Sequence, residues 1–262
     1  MNENIKDMIM GQSRHLFVYG NRSQERTDFL RELEADYPVM CNEDSPIALY
    51  LEDYALPNLT NQNPNIDKIR LKTIGREFFN ASVTYKLVDL LTKKADLRED
   101  QINYFLRNMA RINLPGSNEK IESLEEFSRL IKETKDFYQL YYQEYLKEDP
   151  NLPSFSDVRI PFIELNGTVV YLKKTLKNDS YIGIIIDHNE PISLVSTQVI
   201  NGIVTRRINK DISMKVVTEP DKWISFVDQS GELAEATHDY GVVELDSSLK
   251  KHIKKIKRKL NN

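Results

Sequence analysis

Alternating strands and helices predict an α/β protein built on a parallel sheet, with a large all-helical insertion. Three observations carry this expectation. Short apolar runs at 16–20, 47–51, 182–187, 212–218 and 241–245 read as strands. Helical patterns lie between most of them, which favours parallel pairing. Residues 66–148 carry only helical spacing, closed by Pro150 and Pro153.

In order, LFVYG at 16–20 predicts a buried strand ending in Gly20, followed by NRSQERT and a helix over 28–36 with Phe29, Leu30 and Leu33 on one face. IALYL at 47–51 predicts a second strand, and PNLTNQNPN at 57–65 a loop. Ile74, Phe78, Leu87 and Leu91, then Ile102, Phe105, Leu106 and Met109, mark two helices. After the break at LPGS, a long amphipathic helix runs from Ile121 to Tyr145. Residues 158–165 read as a short strand and 167–177 as a short helix. IGIIID at 182–187 is the strongest strand, apolar up to Asp187. A helix over 193–209, a strand ISMKVVT, a hairpin around Asp228–Gly231 and a strand GVVEL complete the pattern. The predicted organisation is a first part of the α/β core at 1–65, the helical insertion at 66–150, a second part of the core at 151–248 and a basic amphipathic tail at 249–262.

Composition excludes several classes. The 262 residues include one cysteine and nine glycines, the latter roughly half the usual share of about 7%. Collagen-like, flexible-linker and disulfide-scaffold readings are therefore excluded. Cys41 has no cysteine to pair with in the chain, so a reducing, cytoplasmic setting is expected. No apolar run approaches the roughly 18 residues of a membrane span, and the N-terminus does not resemble a signal peptide. Residues 249–262 hold seven Lys/Arg and no Asp or Glu, so the body before them is more acidic than the formal net charge of −4 suggests.

A glycine-ended strand followed by a helix is the setting of a phosphate-binding loop, whose working pattern is G-x-x-x-x-G-K-[ST]. Here the stretch reads Gly20-Asn21-Arg22-Ser23-Gln24-Glu25-Arg26-Thr27. The first glycine and the final threonine match. Glu25 stands where a glycine would let the backbone approach a phosphate, and its charge opposes a polyanion. Arg26 keeps the positive charge as a planar fork, not as a compact ammonium. Thr27 supplies a hydroxyl suited to Mg²⁺. The segment also fits an ordinary strand-to-helix turn. Asp187, ending its apolar strand, occupies the place where such proteins hold the Mg²⁺ shell, although aspartate is common at strand ends as a turn residue. His188 follows it, and Glu190 could orient a water. Thr218 ends the next strand.

This order of elements resembles an AAA+ P-loop ATPase core, closest to the origin-recognition and STAND-like branches found in prokaryotic ATPases. The resemblance covers roughly 14–60 and 178–247, with a degenerate Walker A loop. It implies a nucleotide site built from Gly20, Asn21, Ser23, Arg26, Thr27 and Thr218, with Asp187 and Glu190 as catalytic residues. Thr27 and Asp187 would be Mg²⁺ ligands and ATP the nucleotide. It lacks room for the usual C-terminal helical lid, and no arginine lies between Thr218 and Lys257 to act as a finger. Glu25, Arg26 and His188 depart from the pattern where chemistry needs it, so the first expectation is a non-hydrolysing or weakly nucleotide-binding regulatory or structural subunit of a multi-protein assembly, with a link to DNA as the family association. A working ATPase using Arg26, Thr27, Asp187 and Glu190 is the second reading. The third is a binding module that needs no nucleotide.

Other features point to partners. Phe137, Tyr138, Tyr141, Tyr142 and Tyr145 form an aromatic stripe that reads as helix packing or as a protein-partner face. In the tail, Lys250, Lys251, Lys254, Lys255, Lys257 and Arg258 suit a salt-dependent nucleic-acid contact, while the apolar side of the same helix suits docking on the acidic body. The four histidines are scattered, so no zinc spacing arises. No G-x-S-x-G or G-x-G-x-x-G motif is present.

Overall fold

The computed structural model describes residues 5–52, 54–57, 67–94, 96–113, 121–147, 152–153, 163–188, 192–205, 210–219, 222–223, 225–236 and 238–245. Five strands form one all-parallel sheet: β1 (His15–Tyr19), β2 (Ile47–Leu51), β3 (Ile182–Asp187), β4 (Ile212–Thr218) and β5 (Tyr240–Glu244). Their spatial order is β2-β3-β4-β1-β5. Ile47 pairs with Ile182, Asp187 with Val217, and Tyr19 with both Thr218 and Glu244. The α/β class expected from the alternation is therefore observed. β2, β3 and β4 are buried along their whole length. That is why they read as continuous apolar runs and not as alternating ones. β5, at the sheet edge, does alternate.

Seven helices are described: α1 (Ile5–Met10), α2 (Gln24–Asp36), α3 (Lys68–Lys94), α4 (Glu99–Asn113), α5 (Leu124–Lys147), α6 (Leu165–Leu176) and α7 (Leu194–Thr205). The stretch predicted to be all-helical holds α3, α4 and α5. The expected strand at 158–165 falls mainly outside the described residues; Glu164 caps α6 and Leu165 opens it. Around Asp228 the expected hairpin shows, among the described residues, an antiparallel bridge from Val227 to Leu233, flanked by Asp228 N donating to Glu232 O and Ala234 N to Phe226 O, both at 2.8 Å, and a turn that Asp228 closes through Ser230 and Glu232. α1 was not foreseen. Its Ile5, Ile9 and Met10 are buried, and Met10 sits against Gly183, where any Cβ would collide with its side chain.

The two faces of the sheet are covered unequally. Phe17, Leu49, Ile184, Met214 and Val216 face a large core shared with α3, α4, α6 and α7. Leu16, Val18, Ala48, Ile185 and Val217 face a thinner layer made by α1 and α2. A third cluster joins α3 to α5 through Ile74, Phe78, Tyr138, Tyr141, Tyr142 and Leu146. This corrects the partner-face reading of the tyrosine stripe. Tyr138, Tyr141 and Tyr142 are buried against the chain's own helices. The hydroxyls of Tyr141 and Tyr142 donate to Pro153 O at 2.9 Å and Pro57 O at 3.2 Å. Buried tyrosines with satisfied hydroxyls act as packing residues. Tyr145 lies at the seam's rim, under Arg70, and accepts from Asp67 N.

The thin layer contains a buried lysine. Lys215, mid-β4, donates from Nζ to Gln12 O at 2.7 Å and Arg14 O at 2.8 Å, and its ammonium lies over the Tyr181 ring. It thereby ties the α1–β1 connection to the sheet. Burial pulls its pKa from 10.5 down to about 7. Burial, then the nearby Lys215 charge, lowers His15 to about 4, consistent with its Nδ1 accepting from Met214 N. Between about pH 7 and 10.5 the unfolded chain holds a proton at Lys215 that the folded chain releases, so stability rises with pH across that window. The charged form carries its full penalty below pH 7. Chemical unfolding at pH 7 and pH 9 should show a gain of about 2 kcal/mol at the higher pH in the wild type. Lys215→Met should remove that gain.

Candidate functional site

The C-terminal ends of β1, β3 and β4 lie side by side, and the connections leaving them pass to opposite faces of the sheet. Ligands in open α/β sheets bind at such a point. Gly20, Asp187 and Thr218 meet there. Gly20 N donates to Thr218 O at 3.1 Å, and His188 N to Val217 O at 2.8 Å.

The loop after β1 is short because α2 starts at Gln24, not at the expected Asp28. Two local features favour the early start. Ser23 caps the helix, its Oγ accepting from Arg26 N at 3.1 Å. Glu25 adds an acidic side chain to the first turn, where the helix dipole favours it. The consequence matters chemically: the Arg26 amide that would face a phosphate is bonded to Ser23, and Thr27 N donates to Ser23 O. Glu25 is exposed and stays out of the site.

Arg26 turns inward. Its side chain is 1% exposed and that of Asp187 2%. Nη2 donates to Asp187 Oδ1 at 2.7 Å, and Nη1 to Gly20 O at 2.6 Å. Thr27 Oγ1 donates to Asp187 Oδ2 at 3.0 Å. Arg26, Thr27 and Asp187, three of the residues expected to hold nucleotide or metal, thus hold one another. Thr218 Oγ1 donates to the neighbouring Glu219 O at 3.1 Å, while Arg22 N donates to the Glu219 side chain at 3.4 Å.

These residues do not fit a bound Mg²⁺ as arranged. Each oxygen of Asp187 accepts one hydrogen bond and keeps a further lone pair, so the obstacle is one of charge. A divalent cation beside them would meet the Arg26 guanidinium, with like charges at contact distance and little solvent to screen them. Among the described residues no group of three or more His, Cys, Asp or Glu side chains could hold a metal.

His188 is engaged from both sides. Nδ1 lies 3.1 Å from Tyr54 Oη and Nε2 3.1 Å from Lys222 O, with Trp223 packed edge-on at 5.3 Å. The carbonyl requires Nε2 to donate, so Nδ1 accepts from Tyr54. Burial lowers the His188 pKa, which keeps the ring neutral. Burial, then the Asp187 charge, raises Tyr54 above its ordinary value and pushes Tyr50 to about 12. Tyr54 and Trp223 were not singled out from the sequence; aromatic residues flanking a strand end carry no motif. Glu190 and the tail cations Lys250, Lys251, Lys254, Lys255, Lys257 and Arg258 lie outside the described residues. No family model matches the chain, and no curated protein resembles it in sequence. Among the described residues, no helix is long and apolar enough to cross a membrane.

Removing one member of a buried pair leaves an uncompensated charge, at a cost of about 3–5 kcal/mol. Asp187→Ala should lower the unfolding free energy by that amount in urea titrations. The double variant Arg26→Met/Asp187→Leu, which removes both charges, should lose much less. Equal losses in the two variants would contradict the pairing.

Proposed function

We propose that the chain is an AAA+-like P-loop protein whose phosphate site is closed by its own arginine, and that it serves as a non-hydrolysing regulatory or structural subunit of a multi-protein assembly. Support for the P-loop reading comes from placement. The candidate loop follows β1, Asp187 ends β3, Thr218 ends β4, and the sheet order brings all three to one edge. Helices α3 to α5 lie between β2 and β3 in the chain, as the helical-insertion reading requires.

The single observation that carries the loss of hydrolysis is the Arg26–Asp187 pair. Arg26 replaces the phosphate-binding lysine in the motif, yet its guanidinium is spent on the carboxylate that would organise the metal. Glu25 removes the glycine that close backbone approach needs, and the Ser23 cap consumes a first-turn amide. His188, in the position after the aspartate, is neutral and bonded at both nitrogens, so it has no lone pair left for an attacking water.

Calorimetry with ATP and Mg²⁺, paired with a phosphate-release assay, tests this. The expected outcome is no turnover above background in the wild type and none in Asp187→Ala. Turnover in the wild type that disappears in Asp187→Ala would establish a working ATPase and overturn the proposal.

A further inference from the structure

The helices α4 and α6 pack antiparallel. Gln101 Nε2 donates to Thr175 O at 2.7 Å near one end, and Glu164 N to Asn113 Oδ1 at 2.8 Å near the other. Tyr171 lies between. The Arg111 guanidinium sits 5.7 Å above the Tyr171 ring and donates to its hydroxyl, and the Lys174 ammonium sits 5.5 Å from the same ring. Tyr104 meets Tyr171 edge-on at 6.3 Å and is itself 42% exposed. Arg107 is exposed one turn further along α4.

Clustering of charge sets this surface apart. Some exposed cations elsewhere face a carboxylate, as Arg31 faces Glu52, Lys93 faces Asp89 and Arg129 faces Glu133, whereas among the described residues Lys132, Lys177 and Lys210 make no ion pair but stand singly. Among the described residues, no carboxylate pairs with Arg107, Arg111 or Lys174. A chain of net negative charge therefore gathers three uncompensated cations around two tyrosines. The Tyr171 ring holds Arg111 and Lys174 in place, so less side-chain entropy is lost when they engage an anion.

We propose that the outer face of α4 and α6 binds single-stranded nucleic acid. Cations alone would suit any polyanion. An exposed ring beside them suits a chain of phosphates that also carries flat bases, because every base can stack on a tyrosine. From Tyr104 to Arg111 the helix rises about 10 Å, enough for about three stacked nucleotides. Arg107, Arg111 and Lys174 meet the phosphates and Tyr104 meets a base. This surface is independent of the nucleotide site and of the C-terminal tail.

Fluorescence anisotropy with the full chain and a short labelled oligothymidine tests the proposal. With three phosphate contacts, affinity should fall about 20-fold between about 50 and 200 mM salt. Tyr104→Ala should weaken binding about 5- to 150-fold while Tyr104→Phe stays near the wild type. Arg107→Ser should weaken binding and reduce the salt dependence. Arg107 is exposed, so Arg107→Ser should leave thermal unfolding unchanged, while Tyr104→Ala, which gives up the edge-on contact with Tyr171, should lower the midpoint by only about 2–4 °C. Absence of binding at the lower salt would overturn the proposal. So would affinity unchanged by Tyr104→Ala, or binding that disappears only when 249–262 is deleted. Polyglutamate bound as tightly as the oligonucleotide, with Tyr104→Ala without effect on either, would instead mark an acidic-protein surface and equally overturn it.

Discussion

Two charges taken out of water at the top of the sheet set the terms for everything around them. The Arg26 guanidinium and the Asp187 carboxylate are almost fully buried, and each is costly to bury alone. The arrangement satisfies them jointly. Gly20 O takes one arm of the fork, Asp187 the other, and the Thr27 hydroxyl covers the second carboxylate oxygen. The contrast with Arg31–Glu52 is one of environment. That pair has the same 2.7 Å separation, but its side chains are 54% and 63% exposed, and such pairs contribute about 0–1 kcal/mol. Burial turns an equivalent contact into a constraint that fixes the end of β1, the first turn of α2 and the end of β3 together.

The uneven cover of the sheet gives that constraint its setting. α3 to α7 build a deep core on one face, while α1 and α2 form a thin layer on the other. α2 is held by three apolar contacts, Phe29, Leu30 and Leu33, and by the ion pair at its start. α1 is held by Ile5, Ile9 and Met10, by Lys6 bonded to Glu32 and Asp36, and by Tyr181 donating to Met10 O. Lys215 anchors the chain that follows α1. In the thin layer, polar anchors do what a second tier of apolar packing does on the deep side.

Much of this was legible in the residues. The strands and long helices were visible because their periodicities are set by burial, and burial here is deep. Gly20, Arg26 and Thr27 were readable together from the loop pattern, and Asp187 joined them only through the resemblance to a P-loop core. The direction of the Arg26 side chain was not readable. It depends on β3 lying close enough to α2 for an ion pair, which is a property of sheet order and not of local sequence. The early start of α2 was recoverable from Ser23, whose capping role is local. α1 was hidden by its length, since one and a half turns give too few residues to show a period. The tyrosine stripe looked the same whether it faced a partner or the chain's own helices, because an amphipathic pattern reveals that a face is covered and not what covers it.

The strand order also dictates a folding history. Arg26 and Asp187 are 161 positions apart in the chain, and β2 pairs with β3 only after α3 to α6 have been traversed. Local contacts within the α3–α5 layer can form as soon as those helices exist, whereas the sheet must wait for long-range closure, whose entropic cost comes before its reward. β1 and β2, the first strands made, have no parallel neighbour until β3 and β4 arrive. During synthesis on a ribosome, the first half of the molecule therefore emerges with two apolar strands unpaired, and α1, α2 and the helical layer are the parts available to shield them.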